Sequence, residues 1–127
     1  MAVRGVGLDV CPVERMSAAL ERHGERFLRK VFTDAEIDYA LARRNRDETL
    51  AARFAAKEAC SKSLGAPKGI GWHDVEVTPA RSGEHGPQVV LRGRALEVAS
   101  ARGITRVMLS ITHAAGIAAA VAIAVDE

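Results

Sequence analysis

The chain has 127 residues and a mass of 13.5 kDa, enough for one domain with a modest core and too short for two conventional domains. Its 48% hydrophobic and 27% charged residues exclude wholesale disorder. The net charge of +2 is compatible with a phosphate-bearing or acidic partner, but it falls short of the clustered excess expected of a nucleic-acid binder.

The N-terminus shows no basic stretch followed by an apolar one, so we expect no signal peptide. The one membrane-like run, residues 116–125, is far shorter than the ~20 apolar residues that span a bilayer. Cys11 and Cys60 fit no metal-ligand spacing. We therefore expect a cytoplasmic protein with reduced thiols and no membrane partner.

The chain opens with a predicted strand over residues 3–10 that ends near Asp9. Gly5 and Gly7 within it indicate a close approach of another backbone. A first helix is expected over residues 13–30, weakened in its middle by a glycine.

Two further helices follow. The capping box Thr33-Asp34-Ala35-Glu36 predicts a helix that starts at Thr33 and lasts to about residue 44. A polar turn at residues 45–47 leads to a third helix over residues 48–64, which Gly65 is placed to stop in the left-handed conformation.

The second half favours strands. Its predicted elements are a strand over 73–78, a turn over 82–86, a strand over 88–91, a helix over 94–102, and strands over 107–112 and 117–125. Because helices come first and strands later, we expect an α+β fold with an antiparallel sheet packed against helices.

The third helix carries charges among small apolar residues. Glu58 and Lys62 lie four residues apart and share a face, which alone would be an ordinary surface pair. Charge kept beside so many alanines is costly unless a phosphate or a metal ion compensates it.

Asp9 is the second candidate, because it lies where an apolar strand ends. Taken alone it is better interpreted as a cap of the next helix. Together with Glu58 it would supply two hard oxygen ligands for Mg²⁺, which completes its shell with water and substrate phosphate. Lys62 could then neutralise a phosphate as a point charge.

Other polar residues carry weaker signals. His113 ends a predicted strand beside Ser110 and Thr112, which favours a structural residue or a ligand contact. Trp72 is expected in the core or as a turn anchor, and Cys60 as a packed thiol without a redox role. Solvated basic faces, or a docking surface for an acidic protein, are expected at Arg22, Arg26, Arg29, Lys30 and residues 43–46.

Two segments together match a known pattern. Gly5-Val6-Gly7-Leu8-Asp9-Val10 and Arg53-Phe54-Ala55-Ala56-Lys57-Glu58-Ala59-Cys60-Ser61-Lys62 resemble the two signature motifs of the 4′-phosphopantetheinyl transferase superfamily. The strand Ser110-Ile111-Thr112-His113 and the chain length resemble its small holo-[acyl-carrier-protein] synthase branch. The turn at His85-Gly86-Pro87 departs from the family's usual Gly, one residue, Pro.

The resemblance implies that the 4′-phosphopantetheine arm of coenzyme A moves to a serine of an apo acyl carrier protein, releasing adenosine 3′,5′-bisphosphate. Asp9 and Glu58 match the family's magnesium ligands, and Glu58 and Lys62 are the implied catalytic residues. Glu58 is the candidate base for the serine proton, either directly or through a metal-bound water. Contacts with coenzyme A are implied for Arg53, Lys57, Ser61, Lys62, Gly65 and His113.

The resemblance also implies a homotrimer with sites between neighbouring subunits. We expect the Ala-rich last strand to suit a shared core between those subunits. The carrier could belong to fatty-acid, polyketide or peptide assembly.

Two other function classes could use the same residues. A metal-dependent phosphatase or pyrophosphatase would use the same carboxylates, although two-metal hydrolases carry denser Asp/His clusters. A small oligomeric scaffold protein would use Glu58 and Lys62 as a structural pair, and heat on titration with coenzyme A would separate it from the transferase.

Overall fold

The computed structural model describes residues 1–83 and 86–127. Glu84 and His85 lie outside the described residues, and with them part of the turn expected over residues 82–86 and of the His85-Gly86-Pro87 departure. No helix in the described ranges combines the length and apolar character needed to cross a bilayer.

The main sheet has three antiparallel strands in the order β1-β5-β4. They are β1 (Ala2–Pro12), β4 (Arg106–Ala114) and β5 (Ile117–Asp126). A two-stranded antiparallel sheet pairs β2 (Val75–Thr78) with β3 (Gln88–Leu91). The helices are α1 (Val13–Val31), α2 (Asp34–Leu41), α3 (Arg46–Ser63) and α4 (Gly93–Ala101). The α+β class and the antiparallel pairing are confirmed.

Helix α3 lies directly on one face of the main sheet because small residues line both surfaces. A Cβ built on Gly5 would lie 2.0 Å from the Ser63 carbonyl oxygen, and one on Gly7 would lie 1.9 Å from that of Ala59. The close approach that these glycines predict is therefore confirmed, and only glycine fits there. The facing alanines of β5, all buried, are Ala118, Ala120, Ala122 and Ala124. They pack against α3 within the chain, not in a core shared between subunits.

Several element boundaries differ from those expected. Gly24 has φ +56° and interrupts the helix α1. Helix α2 ends at Leu41, short of residue 44, because the Arg43 N–H bonds to the Ala40 carbonyl and tightens the last turn. Helix α3 begins at Arg46, two residues early, because the Asn45 carbonyl already accepts from the Thr49 N–H.

The strand expected from His73 begins at Val75. A short 3₁₀ turn, Trp72–Asp74, precedes it. The Asp74 carboxylate accepts from the Gly71 N–H at 2.9 Å, which closes this turn. An aspartate that caps a local turn competes with the extended conformation that its alternating neighbours favour.

Candidate active site

Asp9 projects toward α3. Because side chains alternate along a strand, Asp9 lies on the same face of β1 as Gly5 and Gly7, the glycines that touch the helix. Its Oδ1 lies 3.1 Å from Lys62 Nζ, which also donates to the Leu8 carbonyl at 3.0 Å. The residue flanking α1 at its N-terminus is Pro12, without a side-chain cap, so the expected alternative of Asp9 as a helix cap is wrong.

Glu58 lies on α3, four residues before Lys62. Partial burial raises the pKa of its carboxyl, the Asp9 carboxylate raises the pKa further, and Lys62 lowers it. Lys62, which pairs with Asp9, lies one helical turn after Glu58 on α3. Lys62 forms its ion pair with Asp9, so the surface pair between Glu58 and Lys62 is not the contact that the structure contains. Asp9, Glu58 and Lys62 therefore interact electrostatically where β1 lies against α3.

Lys57, the neighbour of Glu58 in sequence, occupies a different environment. Its ammonium lies 2.8 Å from Glu36 Oε1, with the two side chains 2% and 0% exposed. It also donates to the carbonyl oxygens of Trp72 and Val75 at 2.9 and 2.5 Å. These partners bury the ammonium, but Lys57 also lines the small cleft that Glu58 lines, so its contact with coenzyme A stays a prediction.

Ser61 and Gly65 lie along the same helix end. Ser61 and Glu58 line a small cleft with Gly71 and Trp72. Gly65 has φ +92° and stops α3 as expected: its N–H bonds to the Lys62 carbonyl, and the Ala66 N–H bonds to that of Ser61. This turn fixes the helix end beside Lys62.

Arg53 and His113 line a second cleft, of about 270 Å³. His113 Nδ1 lies 3.0 Å from Glu48 Oε1, and Arg53 is only 8% exposed. The residues that line this cleft are all different from those around Glu58. Within one chain, Arg53 and His113 therefore line a different cleft from Glu58 and Ser61.

Other expectations concern packing. The Trp72 ring lies 5.2 Å from that of Phe54, so Trp72 anchors the turn before β2. Cys60 is fully buried, and this burial raises the pKa of its thiol to about 12. A thiol in that state is a poor nucleophile, in agreement with the packed role expected for it.

Two residues near the site were not singled out by sequence. Glu36 is the last residue of the capping box, and that motif predicts only its bond to the Thr33 N–H. Tyr39 lies over the second cleft, where both Arg43 and Arg53 approach its ring. Its spacing of four from Arg43 along a predicted helix was a signal for one of those contacts.

Known proteins resemble this chain over nearly its whole length. Residues 5–118 match the family model of the 4′-phosphopantetheinyl transferase superfamily. The chain is 50% identical over 124 residues to a holo-[acyl-carrier-protein] synthase of Desulforudis audaxviator, covering 97% of this chain and 93% of that one.

Solved structures agree. A holo-ACP-synthase from Plasmodium yoelii superposes with a TM-score of 0.83 at 31% identity, covering 99% of this chain and 97% of that one. The Helicobacter pylori holo-[acyl-carrier-protein] synthase, solved in complex with coenzyme A, superposes with a TM-score of 0.80 at 26% identity and covers 94% and 99%.

Proposed function

This chain belongs to the 4′-phosphopantetheinyl transferase superfamily, as an enzyme of the holo-[acyl-carrier-protein] synthase type, and we propose that Asp9, Glu58 and Lys62 form its catalytic centre. The enzyme transfers the 4′-phosphopantetheine group of coenzyme A to a serine of apo acyl carrier protein and leaves adenosine 3′,5′-bisphosphate. The observation that supports this centre is the Asp9–Lys62 ion pair, which joins β1 to the part of α3 that carries Glu58.

The donor set suits Mg²⁺. Magnesium usually takes one or two protein carboxylates and completes its octahedral shell with water and substrate phosphate. Asp9 and Glu58 are such a pair, and no cluster of three or more His, Cys, Asp or Glu ligands occurs within residues 1–83 and 86–127. Burial is the main cause of the raised pKa of Glu58, and a cation between the carboxylates would offset the repulsion by Asp9 that adds to it. When bound, it would polarise the pyrophosphate and offset its charge.

Side chains of the protein carry out the remaining steps of the transfer. The carrier serine Oγ attacks the phosphorus next to the pantetheine arm, and the bond from that phosphorus to adenosine 3′,5′-bisphosphate breaks. Glu58, whose raised pKa favours proton uptake, takes the hydroxyl proton. Lys62 neutralises charge on the phosphate oxygens, while Ser61 and Gly65 contact coenzyme A beside it.

The second cleft suits the other phosphate of coenzyme A. Coenzyme A carries a pyrophosphate, which reacts, and a 3′-phosphate on the ribose, which does not. Arg53 and His113 present cationic and hydrogen-bonding groups that match a phosphate monoester. Because this cleft is separate from the one at Glu58, we assign it to the 3′-phosphate of a coenzyme bound across two subunits.

The exposed face of the main sheet indicates a surface where a second copy of the chain binds. Val6, Leu8 and Val10 point away from α3 and are 60%, 63% and 56% exposed. A row of large apolar side chains on one strand is typical of a surface that is covered in the assembled protein. Leu8 precedes Asp9, so the interface would border the catalytic centre. We propose a homotrimer with sites between subunits, each subunit one domain over residues 1–127, acting in the cytoplasm.

Intact-mass spectrometry of apo carrier proteins tests this function. A panel from fatty-acid, polyketide and peptide assembly is incubated with the enzyme, coenzyme A and Mg²⁺. We expect at least one carrier to gain the mass of the 4′-phosphopantetheine arm, and the gain to disappear when EDTA removes Mg²⁺. Release of inorganic phosphate from coenzyme A without transfer would contradict it and indicate a hydrolase.

A further inference from the structure

Two arginine side chains lie against the ring of Tyr39. The guanidinium carbon of Arg53 lies 4.5 Å from the ring centroid, and that of Arg43 lies 5.0 Å from it. All three residues line the second cleft, together with His113. Tyr39 belongs to α2, Arg43 to the turn that follows and Arg53 to α3. The ring is therefore the common contact of two arginines from different segments.

Placing the Arg43 and Arg53 guanidiniums close together is electrostatically unfavourable. Like charges repel, and Arg43 lowers the pKa of Arg53, although burial is the largest cause of that lowering. Tyr39 and Glu36 both raise the pKa of Arg53, Tyr39 also through a side-chain hydrogen bond, but Glu36 is already bonded to Lys57. An anion in the cleft would offset the repulsion that remains.

Arg53 also has an unsatisfied hydrogen-bond donor among the described residues. Its Nε is buried and finds no hydrogen-bond partner within residues 1–83 and 86–127, and the residue as a whole is 8% exposed. Buried donors of folded proteins are nearly always bonded, so a cleft-lining residue with an unbonded donor is suited to receive a ligand oxygen.

An aromatic ring is suited to this task because it orients a guanidinium without neutralising it. A carboxylate in the same place would hold both arginines more tightly, but it would compete with an incoming phosphate for their N–H groups. Glu48, which does lie in this region, pairs with His113. The ring leaves both positive charges available.

We propose that Tyr39 is a positioning residue for coenzyme A: its ring presets Arg43 and Arg53 to bind the ribose 3′-phosphate together, which makes the enzyme prefer coenzyme A over 3′-dephospho-coenzyme A. This inference rests on the proposed function, since it assigns the second cleft to the same substrate.

Steady-state kinetics with both substrates test it, using Y39L to remove the ring and Y39F to keep it. For Y39L we expect KM for coenzyme A to rise about fivefold, the size of one cation–π contact, with kcat unchanged. Y39F keeps the ring but loses the hydroxyl that bonds to Arg53, so its rise in KM should be smaller than that of Y39L. With 3′-dephospho-coenzyme A all three enzymes should share one KM, higher than that of the wild type for coenzyme A.

A binding measurement accompanies the kinetics. The rise in Tm given by adenosine 3′,5′-bisphosphate over that given by adenosine 5′-monophosphate should shrink in Y39L and persist in Y39F. An equal KM for both substrates in the wild type would overturn the inference, as would an equal effect of Y39L on both or a loss in Y39F as large as in Y39L. Failure of the wild type to transfer the arm from either substrate would instead overturn the proposed function.

Discussion

Lys57 Nζ lies 2.8 Å from Glu36 Oε1 in the interior, and the next residue of α3, Glu58, faces the cleft. The buried carboxylate also accepts from the Thr33 and Val77 N–H groups, each at 2.8 Å. One side chain therefore joins the start of α2, the middle of α3 and strand β2. We infer that this pair holds α3 in the orientation that presents Glu58.

K57M tests this structural role. Removing one partner of a buried pair leaves the other charge uncompensated, so we expect the free energy of unfolding to fall by about 3–5 kcal/mol in urea denaturation. The double variant K57M/E36Q should recover part of that loss. A K57M enzyme of normal stability with a raised KM for coenzyme A would show that the lysine contacts substrate after all.

G7A tests the contact between β1 and α3. The new Cβ would lie 1.9 Å from the Ala59 carbonyl oxygen, so the helix must move off the strand that carries Asp9. We expect a loss of about 1–3 kcal/mol in the free energy of unfolding, with weaker arm transfer.

G71A is the matched control, because its Cβ would meet Asp74 at an ordinary 3.5 Å. Its melting temperature should stay near that of the wild type. Equal melting temperatures for G7A and the wild type would contradict the close packing.

Sequence patterns predicted the elements that local chemistry determines. The capping box, the glycine stop after α3 and the two close-packing glycines were all visible in the sequence. The burial of the Lys57 ammonium was not visible in the sequence, because a position in a helix does not tell which of two adjacent charges faces the interior. That choice is made by Glu36, which lies 21 residues earlier in the chain.

The β5 alanines show the same limit. The Ala-rich last strand was predicted, but its sequence does not tell whether the face formed by alternate alanines meets a helix of the same chain or another subunit. The register against β1, with Asp9 opposite Ala120, places that face on α3. Only the tertiary structure decides between the two partners.

Glu76 gives the stability a defined pH dependence. The Thr33 hydroxyl donates to it at 2.6 Å, and this bond, with the Arg92 contacts, lowers the pKa of the Glu76 carboxyl although burial opposes the shift. A lowered pKa in the folded state means that the carboxylate stabilises the fold above the ordinary glutamate pKa. This contribution is lost as pH falls through the lowered value.

Urea denaturation of E76Q across pH measures this contribution. The variant should be less stable than the wild type near pH 7, and the difference should shrink as the solution becomes acidic. A difference that stays constant from neutral to acidic pH would contradict the linkage.

Mixing inactive variants tests whether each site is shared between subunits. E58Q removes a residue of the first cleft and R53Q one of the second. When the two are unfolded and refolded together, some sites receive both intact clefts, so we expect partial recovery of arm transfer. The control mixture of D9N with E58Q damages the same cleft in every chain and should stay inactive. No recovery in the first mixture would place the whole site within one chain.

We propose that Asp9 and Glu58 hold one cation between them. Calorimetric titration of Mg²⁺ into the protein saturated with coenzyme A detects this cation. We expect one magnesium per site in the wild type and in E97Q, an exposed carboxylate control, and loss of that heat in both D9N and E58Q. Binding of Mg²⁺ to D9N and E58Q with wild-type affinity and stoichiometry would contradict it.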